Sequence, residues 1–368
     1  MKILITIPSI RSGGAERSMI TLGNSLVEKG NDVTLLACEP FDASREVYGL
    51  LSVDSKIKKV SLNKHHVRDC FFKVARFIKN GDFDVVLSTI THMNVMMSLS
   101  KFLNFQKHKL CIRDCSIHEK PDTLLGKLGI ALMRFAYGNA NALVCVSKSN
   151  ATNLKTLGIS NQNTYVIYNT VASEAFFEKA EQKLPTEFSC LENEPFLTTV
   201  ARLDPIKNQS FMIRSFAKIS NRIPHKFVIV GAGPLKDELE NLVSSLGIAD
   251  RVIFAGYQSN PLAFMKRADL YLMSSLKEAA SRSAMEALCL GTPTICVDTC
   301  GSFAEILDNG KCGIILDDFD EDAYANAILR ELTHPTIKKS DLEIAAKKFE
   351  ESENLKKYEN LFLSLARK

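Results

Sequence analysis

Short apolar runs alternate with segments of helical period along almost the whole chain. "KILITI", "DVTLLA", "DVVLST", "LCIRDC" and "ALVCVS" are strand-length and rich in β-branched residues. Between them, residues 17–29 and 69–79 repeat apolar positions at a helical spacing. The alternation predicts βαβ units, with a parallel sheet covered by helices on both faces. The first series ends at "TYVIYNTV", residues 164–171. Residues 172–194 are polar, hold Pro185 and several glutamates, and read as a linker with the lead-in to a second unit. A fresh series then runs through "FLTTVAR", "KFVIVGAG", "RVIFAGY", "LYLMSS", "PTICVD" and "CGIILD".

Two such series in 368 residues predict an α/β chain of two Rossmann-like domains, 1–172 and 173–351. Residues 340–368 read as helical and amphipathic, with Leu342, Ile344, Ala345, Phe349, Leu355, Tyr358 and Leu361 on one stripe. Their end, about 352–368, is expected to pack back on the first domain.

Charge sharpens this division. The net charge of +4 is the sum of a basic half and an acidic half. Residues 1–170 hold 22 Lys and Arg against 13 Asp and Glu, whereas residues 171–368 hold 24 against 29. A basic first half suits an anionic partner: a phospholipid surface, a lipid pyrophosphate or nucleic acid. No aromatic-basic pattern of a nucleic-acid reader occurs, so nucleic acid is not expected. The ten cysteines are scattered without a CxxC, and several sit in apolar runs. They read as buried free thiols, not as a disulfide framework or a zinc site. No run of 18 apolar residues and no signal peptide is evident, which leads us to expect a cytoplasmic chain, peripheral at the inner face of the plasma membrane.

Candidate chemistry lies where strands give way to helices. "SIRSGGAERS", residues 9–18, follows the first strand and offers Gly13 and Gly14 for close backbone approach to an anion at a helix start. "VARLDPIKN" presents Arg202 and Lys207 across a proline turn, a pair able to flank a pyrophosphate; an ordinary charged loop has the same look. "VIVGAGPLKDEL" makes a tight strand-to-helix turn, but no GxGxxG is completed and no acidic ribose ligand follows. In "SSLKEAASRSAMEALCLGTPTICVD", Glu278 and Glu286 are eight positions apart. A single helix would set them about 12 Å apart, beyond the roughly 5 Å carboxylate pair of a retaining glycosidase. A loop carrying Glu278 and a helix carrying Glu286 fit better. Ser281, Arg282 and Ser283 would then form the helix N-terminus, a natural phosphate site, with the serines as caps. Glu286 stands among Ala284, Met285, Ala287 and Leu288, so it is expected to be partly buried and to need a partner.

"SGGAER", "ARLDPIKN", "GAGPLKDEL", "VIFAGY", the Glu-x7-Glu pair and "GTPTICVDTCGSFAEIL" occur in an order that resembles family 4 glycosyltransferases, across nearly the whole chain. The resemblance implies the GT-B fold, two Rossmann-like domains facing across a cleft, and retaining transfer from a nucleotide diphosphate sugar, UDP favoured. It is strongest to bacterial surface-polysaccharide enzymes, which implies a lipid-linked or lipopolysaccharide-core acceptor. Residue by residue, Arg202 and Lys207 match the basic pair on the donor diphosphate. Glu286 matches the ribose-binding glutamate and Glu278 the one that contacts the donor sugar. Gly13 and Gly14 match the loop facing the phosphates, and Gln258 falls where backbone groups meet the base. The fold implies no metal and no cofactor, with Arg, Lys and helix dipoles in the charge role. Two features depart from the pattern or match it loosely. Ala279 stands where the family carries Gly after the first Glu, which bears on donor-sugar recognition. "RDCSIHEK" offers His118, beside Arg113 and Asp114, as the acceptor-side histidine.

Residues 63–80 place Val67, Cys70, Phe71, Val74, Phe77 and Ile78 on one helical face, with Lys64, Arg68, Lys73, Arg76 and Lys79 around it. Such a helix lies in an anionic lipid interface or packs on the sheet with its basic rim in water. Two alternatives to transfer stay open: a nucleotide-sugar epimerase of the same fold, and a non-catalytic scaffold in a polysaccharide assembly complex.

Overall fold

The apolar runs pair into two parallel sheets in the computed structural model, which describes residues 1–9, 14–40, 53–64, 66–104 and 108–367. The first sheet holds β1 (Lys2–Ile7), β2 (Asp32–Ala37), β3 (Lys58–Ser61), β4 (Val85–Thr89), β5 (Lys109–Asp114), β6 (Ala142–Cys145) and β7 (Thr164–Val166). Their order is β3-β2-β1-β4-β5-β6-β7, all parallel. The second sheet holds β8 (Phe196–Val200), β9 (Lys226–Val230), β10 (Val252–Gly256), β11 (Leu270–Met273), β12 (Thr294–Val297) and β13 (Gly313–Leu316), in the order β10-β9-β8-β11-β12-β13. Each order reverses once, at β1/β4 and at β8/β11. Such switch points open a crevice beyond the carboxyl ends of the strands, the usual ligand position in doubly wound sheets.

The chain divides into two compact units, Met1–Thr170 with Ser352–Lys368, and Val171–Glu351. In the first, Ile3, Ile5, Leu35, Val85 and Leu87 form the core of one sheet face with Met19, Leu22 and Leu26 of the helix Gly14–Glu28. Leu355, Tyr358, Leu361, Phe362 and Leu365 of the helix Glu351–Ala366 join the same core. The other face carries Leu4, Val86, Leu110 and Ile112 under three helices, Phe71–Asn80, Thr91–Asn104 and Leu124–Gly138. In the second unit, Phe227, Ile229, Leu272 and Ile295 pack under Phe216, Tyr324 and Ile328.

The structure differs from the pattern at three places and decides between two open readings at a fourth. β3 reads as polar, because it is an edge strand with its first two residues exposed. Residues 172–194 are no loose linker: they form the helix Glu174–Glu181 and the 3₁₀ turn Thr186–Glu192, and Leu184 and Leu191 are buried with Phe196 and Phe264. Residues 340–368 break at a 3₁₀ turn, Lys347–Phe349, so Leu342 and Ala345 serve the second unit while Tyr358 and Leu361 serve the first; Ile344 is exposed. On Phe71–Asn80, Val74 and Ile78 are buried and Phe71 and Phe77 pack against the same core, so this apolar face belongs to the sheet. All ten cysteines are free thiols; Cys190 is exposed, and burial pushes Cys111 and Cys145 up to about 12.

Candidate active site

In the second unit the candidate residues gather at the carboxyl ends of β8 and β11, the two strands flanking the switch point. The loop after β8 carries Arg202, then Asp204, whose carboxylate accepts from the Ile206 amide at 3.1 Å and caps the short turn Pro205–Lys207. Asp204 also pairs with the exposed Arg202 guanidinium. Gln209, fully buried, donates its side-chain N–H to the Arg202 carbonyl at 2.8 Å. The loop after β11 is stitched to this one. The Leu276 amide donates to the Ile206 carbonyl at 2.8 Å, and Ser274 Oγ donates to the Asn208 carbonyl at 2.8 Å. These bonds bring Lys207 Nζ onto Glu278 Oε1 as an ion pair, largely shielded from solvent.

Glu278 lies on the loop, and Glu286 lies inside the following helix, Arg282–Cys289. Ser281 is its N-cap, accepting from the Ala284 amide at 3.4 Å. Ser283 does not cap; its hydroxyl lies 3.8 Å from Met273 Sδ and 3.4 Å from Ser281 Oγ. Glu286 is buried and accepts from Arg282 Nε at 2.9 Å, one helical turn away. A charge-assisted bond of this kind offsets the desolvation of both groups. Ala279 is buried within the loop.

The glycines of "GAGP" have a different task from a dinucleotide fingerprint. Gly231 has φ +145, and a Cβ there would lie 1.9 Å from the Ala201 carbonyl oxygen. A Cβ on Gly233 would lie 2.2 Å from the Leu203 carbonyl oxygen. Leu203 N donates to the Ala232 carbonyl at 3.1 Å. The bare backbones let two loops touch, which sets the position of Arg202. Gln258 uses its amide on its own loop, donating to the Ala255 carbonyl at 2.7 Å. Gly14 opens the helix Gly14–Glu28 and is exposed; Gly13 lies outside the described residues.

His118 sits elsewhere in the first unit. Its Nε2 meets Asp114 Oδ2 at 3.0 Å, and its backbone amide and carbonyl both bond the Asn153 side chain at 2.9 Å. Asp114 is buried. Burial alone would raise its pKa, but bonds from His118, Asn150 and Tyr137 outweigh that and hold it below the usual carboxylate range. Arg113 is fully buried too, donating to Thr89 Oγ1 at 3.0 Å and to Asn169. Both belong to a buried hydrogen-bond network at the carboxyl end of β5, a strand inside the sheet.

Sequence reasoning missed a cavity of about 530 Å³ in the first unit, lined by Pro8, Ser9, Glu16, Cys38, Glu39, His66, Val67, Arg68, Ile90 and His92. Pro8 and Ser9 follow β1 and Ile90 and His92 follow β4, so this cavity also lies at a switch point. Ile90 has φ +71, a left-handed conformation rare for a β-branched residue. Such strain costs on the order of 1–3 kcal/mol and concentrates at functional sites. Burial lowers the pKa of His92. The cavity's local signal in the sequence is the segment 9–18, which supplies Ser9 and Glu16; the remaining lining residues carry no motif.

Comparison with known proteins agrees with this fold. The family model for glycosyl transferases group 1 matches residues 181–349, and that for glycosyltransferase family 4 matches residues 12–175. N-acetyl-alpha-D-glucosaminyl L-malate synthase of Bacillus anthracis is 24% identical, over 100% of this chain and 98% of its own. The N-acetylgalactosamine-N,N'-diacetylbacillosaminyl-diphospho-undecaprenol 4-alpha-N-acetylgalactosaminyltransferase of Campylobacter jejuni is 23% identical, over 92% of each chain. Among solved structures, Anabaena HepE in complex with UDP superposes with a TM-score of 0.81 at 19% identity, covering 99% of this chain and 100% of that one. With two parallel Rossmann-like sheets and family matches over both halves, the chain belongs to the family 4 glycosyltransferases of the GT-B fold.

Proposed function

We propose that the chain is a retaining hexosyltransferase that moves a sugar from a UDP-sugar to a hydroxyl of a lipid-linked or lipopolysaccharide-type core saccharide, in bacterial surface polysaccharide synthesis. The observation that carries this reading is the convergence of Lys207, Glu278 and the Arg282–Glu286 pair at the β8/β11 switch point. In this reading Arg202 and Lys207 hold the donor diphosphate and stabilise the charge that grows on it as the bond from the sugar C1 to phosphate oxygen breaks. Glu278 accepts hydrogen bonds from sugar hydroxyls and Glu286 from the ribose. The helix N-terminus at Ser281, Arg282 and Ser283 adds its dipole to the phosphate site. The acceptor hydroxyl attacks C1 from the face the phosphate leaves and hands its proton to that phosphate. Gly13, Gly14 and Gln258 serve the phosphates and the base through backbone groups, and His118 is kept as an acceptor-side candidate. The cations take the role that a divalent ion has in other transferases, and no cofactor takes part.

Support for UDP comes from HepE, solved with UDP, and support for a lipid-linked acceptor from the Campylobacter enzyme, whose name specifies a diphospho-undecaprenol saccharide. A mass-detected assay tests the proposal, using UDP- and GDP-sugars, N-acetylhexosamines included, with extracted lipid-linked acceptors. Transfer from a UDP-sugar with the anomeric configuration kept is the expected result. An isomerised donor without acceptor would mark an epimerase instead. No reaction, with no nucleotide bound at millimolar concentration, would leave only a scaffold.

A further inference from the structure

The first unit carries an apolar surface that its own fold does not use. The helix Leu124–Gly138 buries Met133, Ala136 and Tyr137 against the sheet. On its outer side Leu124 is 85% exposed, Leu125 79% and Leu128 56%; Leu132 and Phe135 are also exposed. At 100° per residue these five fall within roughly a third of the helix circumference. The patch continues onto the adjacent helix Thr91–Asn104, where exposed Phe102 meets Phe135 edge to face at 5.5 Å between centroids. Beyond that helix, on Phe71–Asn80, Phe72 is 84% exposed.

Charge around this surface has one prevailing sign. The helix Leu124–Gly138 has two charged residues, Lys127 and Arg134, both cations and both exposed. They lie on the same edge of the leucine stripe, seven positions apart. Phe71–Asn80 adds exposed Lys73, Arg76 and Lys79. Over residues 66–80, 91–104 and 118–138 there are eight Lys and Arg against three Asp and Glu: Asp69, Glu119 and Asp122. A solid apolar stripe with a cationic rim is the pattern of a helix lying in an anionic lipid interface. It also exceeds the scattered exposed leucines that need no explanation.

We infer that the face made by Leu124, Leu125, Leu128, Leu132, Phe135 and Phe102 docks the first unit onto an anionic bilayer, with Lys127 and the cations of Phe71–Asn80 on the headgroups. The leucines enter the boundary between headgroups and acyl chains, and the cations add attraction that salt screens. The helix named by the sequence pattern, residues 63–80, thus supplies charge, while the apolar insertion comes from a different helix. This docking does not depend on the transfer chemistry, so vesicle binding reads it without donor or acceptor.

The test is co-sedimentation of the full chain with vesicles of phosphatidylethanolamine and phosphatidylglycerol, and with phosphatidylcholine alone. The expected result is binding to the phosphatidylglycerol vesicles that weakens severalfold between 0.05 and 0.5 M salt. The triple variant Leu125→Glu, Leu128→Glu, Leu132→Glu should bind at least tenfold more weakly with unchanged circular dichroism and UDP affinity. Lys73→Ala with Arg76→Ala and Lys79→Ala should lose most of the salt-sensitive part. Wild-type protein that stays in the supernatant overturns the inference, as does a triple glutamate variant that sediments like wild type. A wild-type dimer in light scattering that the same variant dissociates, without vesicle binding, would assign the face to a second copy and also overturn it.

Discussion

Lys207 and Glu278 come from loops 71 positions apart and meet as an ion pair at the head of a sheet crevice. The contact depends on hydrogen bonds between the two loops, not on the pair alone: the Leu276 amide and the Ser274 hydroxyl hold the β11 loop against the β8 loop. In the proposed function, a diphosphate arriving at this loop would compete with Glu278 for the lysine and free the carboxylate for hydroxyl groups. Lys207→Ala should therefore lower kcat by about 10²–10³, the scale for removing one charge stabiliser of a transition state. Arg202→Ala, at a more exposed position, should cost less. Steady-state rates with a fixed donor measure both, and equal activity of all three proteins would remove the pair from the mechanism.

Glu286→Ala acts on folding as well as binding, because it leaves the shielded Arg282 guanidinium without this carboxylate. We expect a stability loss of about 1.5–3 kcal/mol, the scale for removing one hydrogen bond to a charged group. Glu286→Gln keeps the shape and one acceptor, so it should melt closer to wild type while still losing nucleotide affinity. Denaturant melts of the two variants separate these effects.

Gly231→Ala places a methyl carbon against the Ala201 carbonyl oxygen at a backbone angle that alanine avoids. The cost should exceed about 3 kcal/mol, in line with other left-handed or clashing backbone sites. UDP affinity should fall with it, because the displaced loop is the one that carries Arg202. By contrast Gly247→Ala, with φ +68 but open space around its Cβ, should show backbone strain alone, about 1 kcal/mol.

His108 gives the first unit a pH dependence. Its side chain is buried, its Nε2 has no hydrogen-bond partner among the described residues, and burial lowers its pKa to about 4. The unfolded chain takes up the proton near pH 6.5, so the stability owed to neutral His108 is intact above that pH. It falls as pH drops from 6.5 towards 4 and levels off below. At 1.36 kcal/mol per pKa unit the full loss between pH 6.5 and about 4 is roughly 3–4 kcal/mol. Chemical melts at pH 7.5 and 4.5 for wild type and His108→Phe should show a smaller drop in the variant.

Asp114→Asn should destabilise the first unit by about 2–4 kcal/mol, since it sets an amide among donors from Tyr137, Asn150 and His118. His118→Ala removes one partner from a half-buried side chain and should cost less than half as much. A larger loss of transfer than of stability in His118→Ala would separate an acceptor role from a structural one.

Particular residues show what was legible in the sequence. Arg202, Lys207, Glu278 and Glu286 stand in two contiguous segments next to apolar strands, so local pattern found them. The first-unit cavity collects Ser9 and Glu16 of residues 9–18 with Glu39, His66 and His92 from three other segments, and the sheet order joins them. Glu16, two positions after the candidate Gly14 in "SIRSGGAERS", lines that cavity. The exposed leucines of Leu124–Gly138 escaped notice because an apolar helix in an α/β pattern is expected to face a sheet; one side of it does. The break at Lys347–Phe349 was hidden because the apolar spacing runs on across it.

Calorimetric titration with UDP of wild type, Lys207→Ala and Glu286→Ala bears most directly on the nucleotide grip at the β8/β11 switch point. The account predicts saturable binding to wild type and affinities about 10–100-fold weaker in each variant, the worth of one charge-assisted hydrogen bond. Variants that bind UDP as tightly as wild type would contradict it.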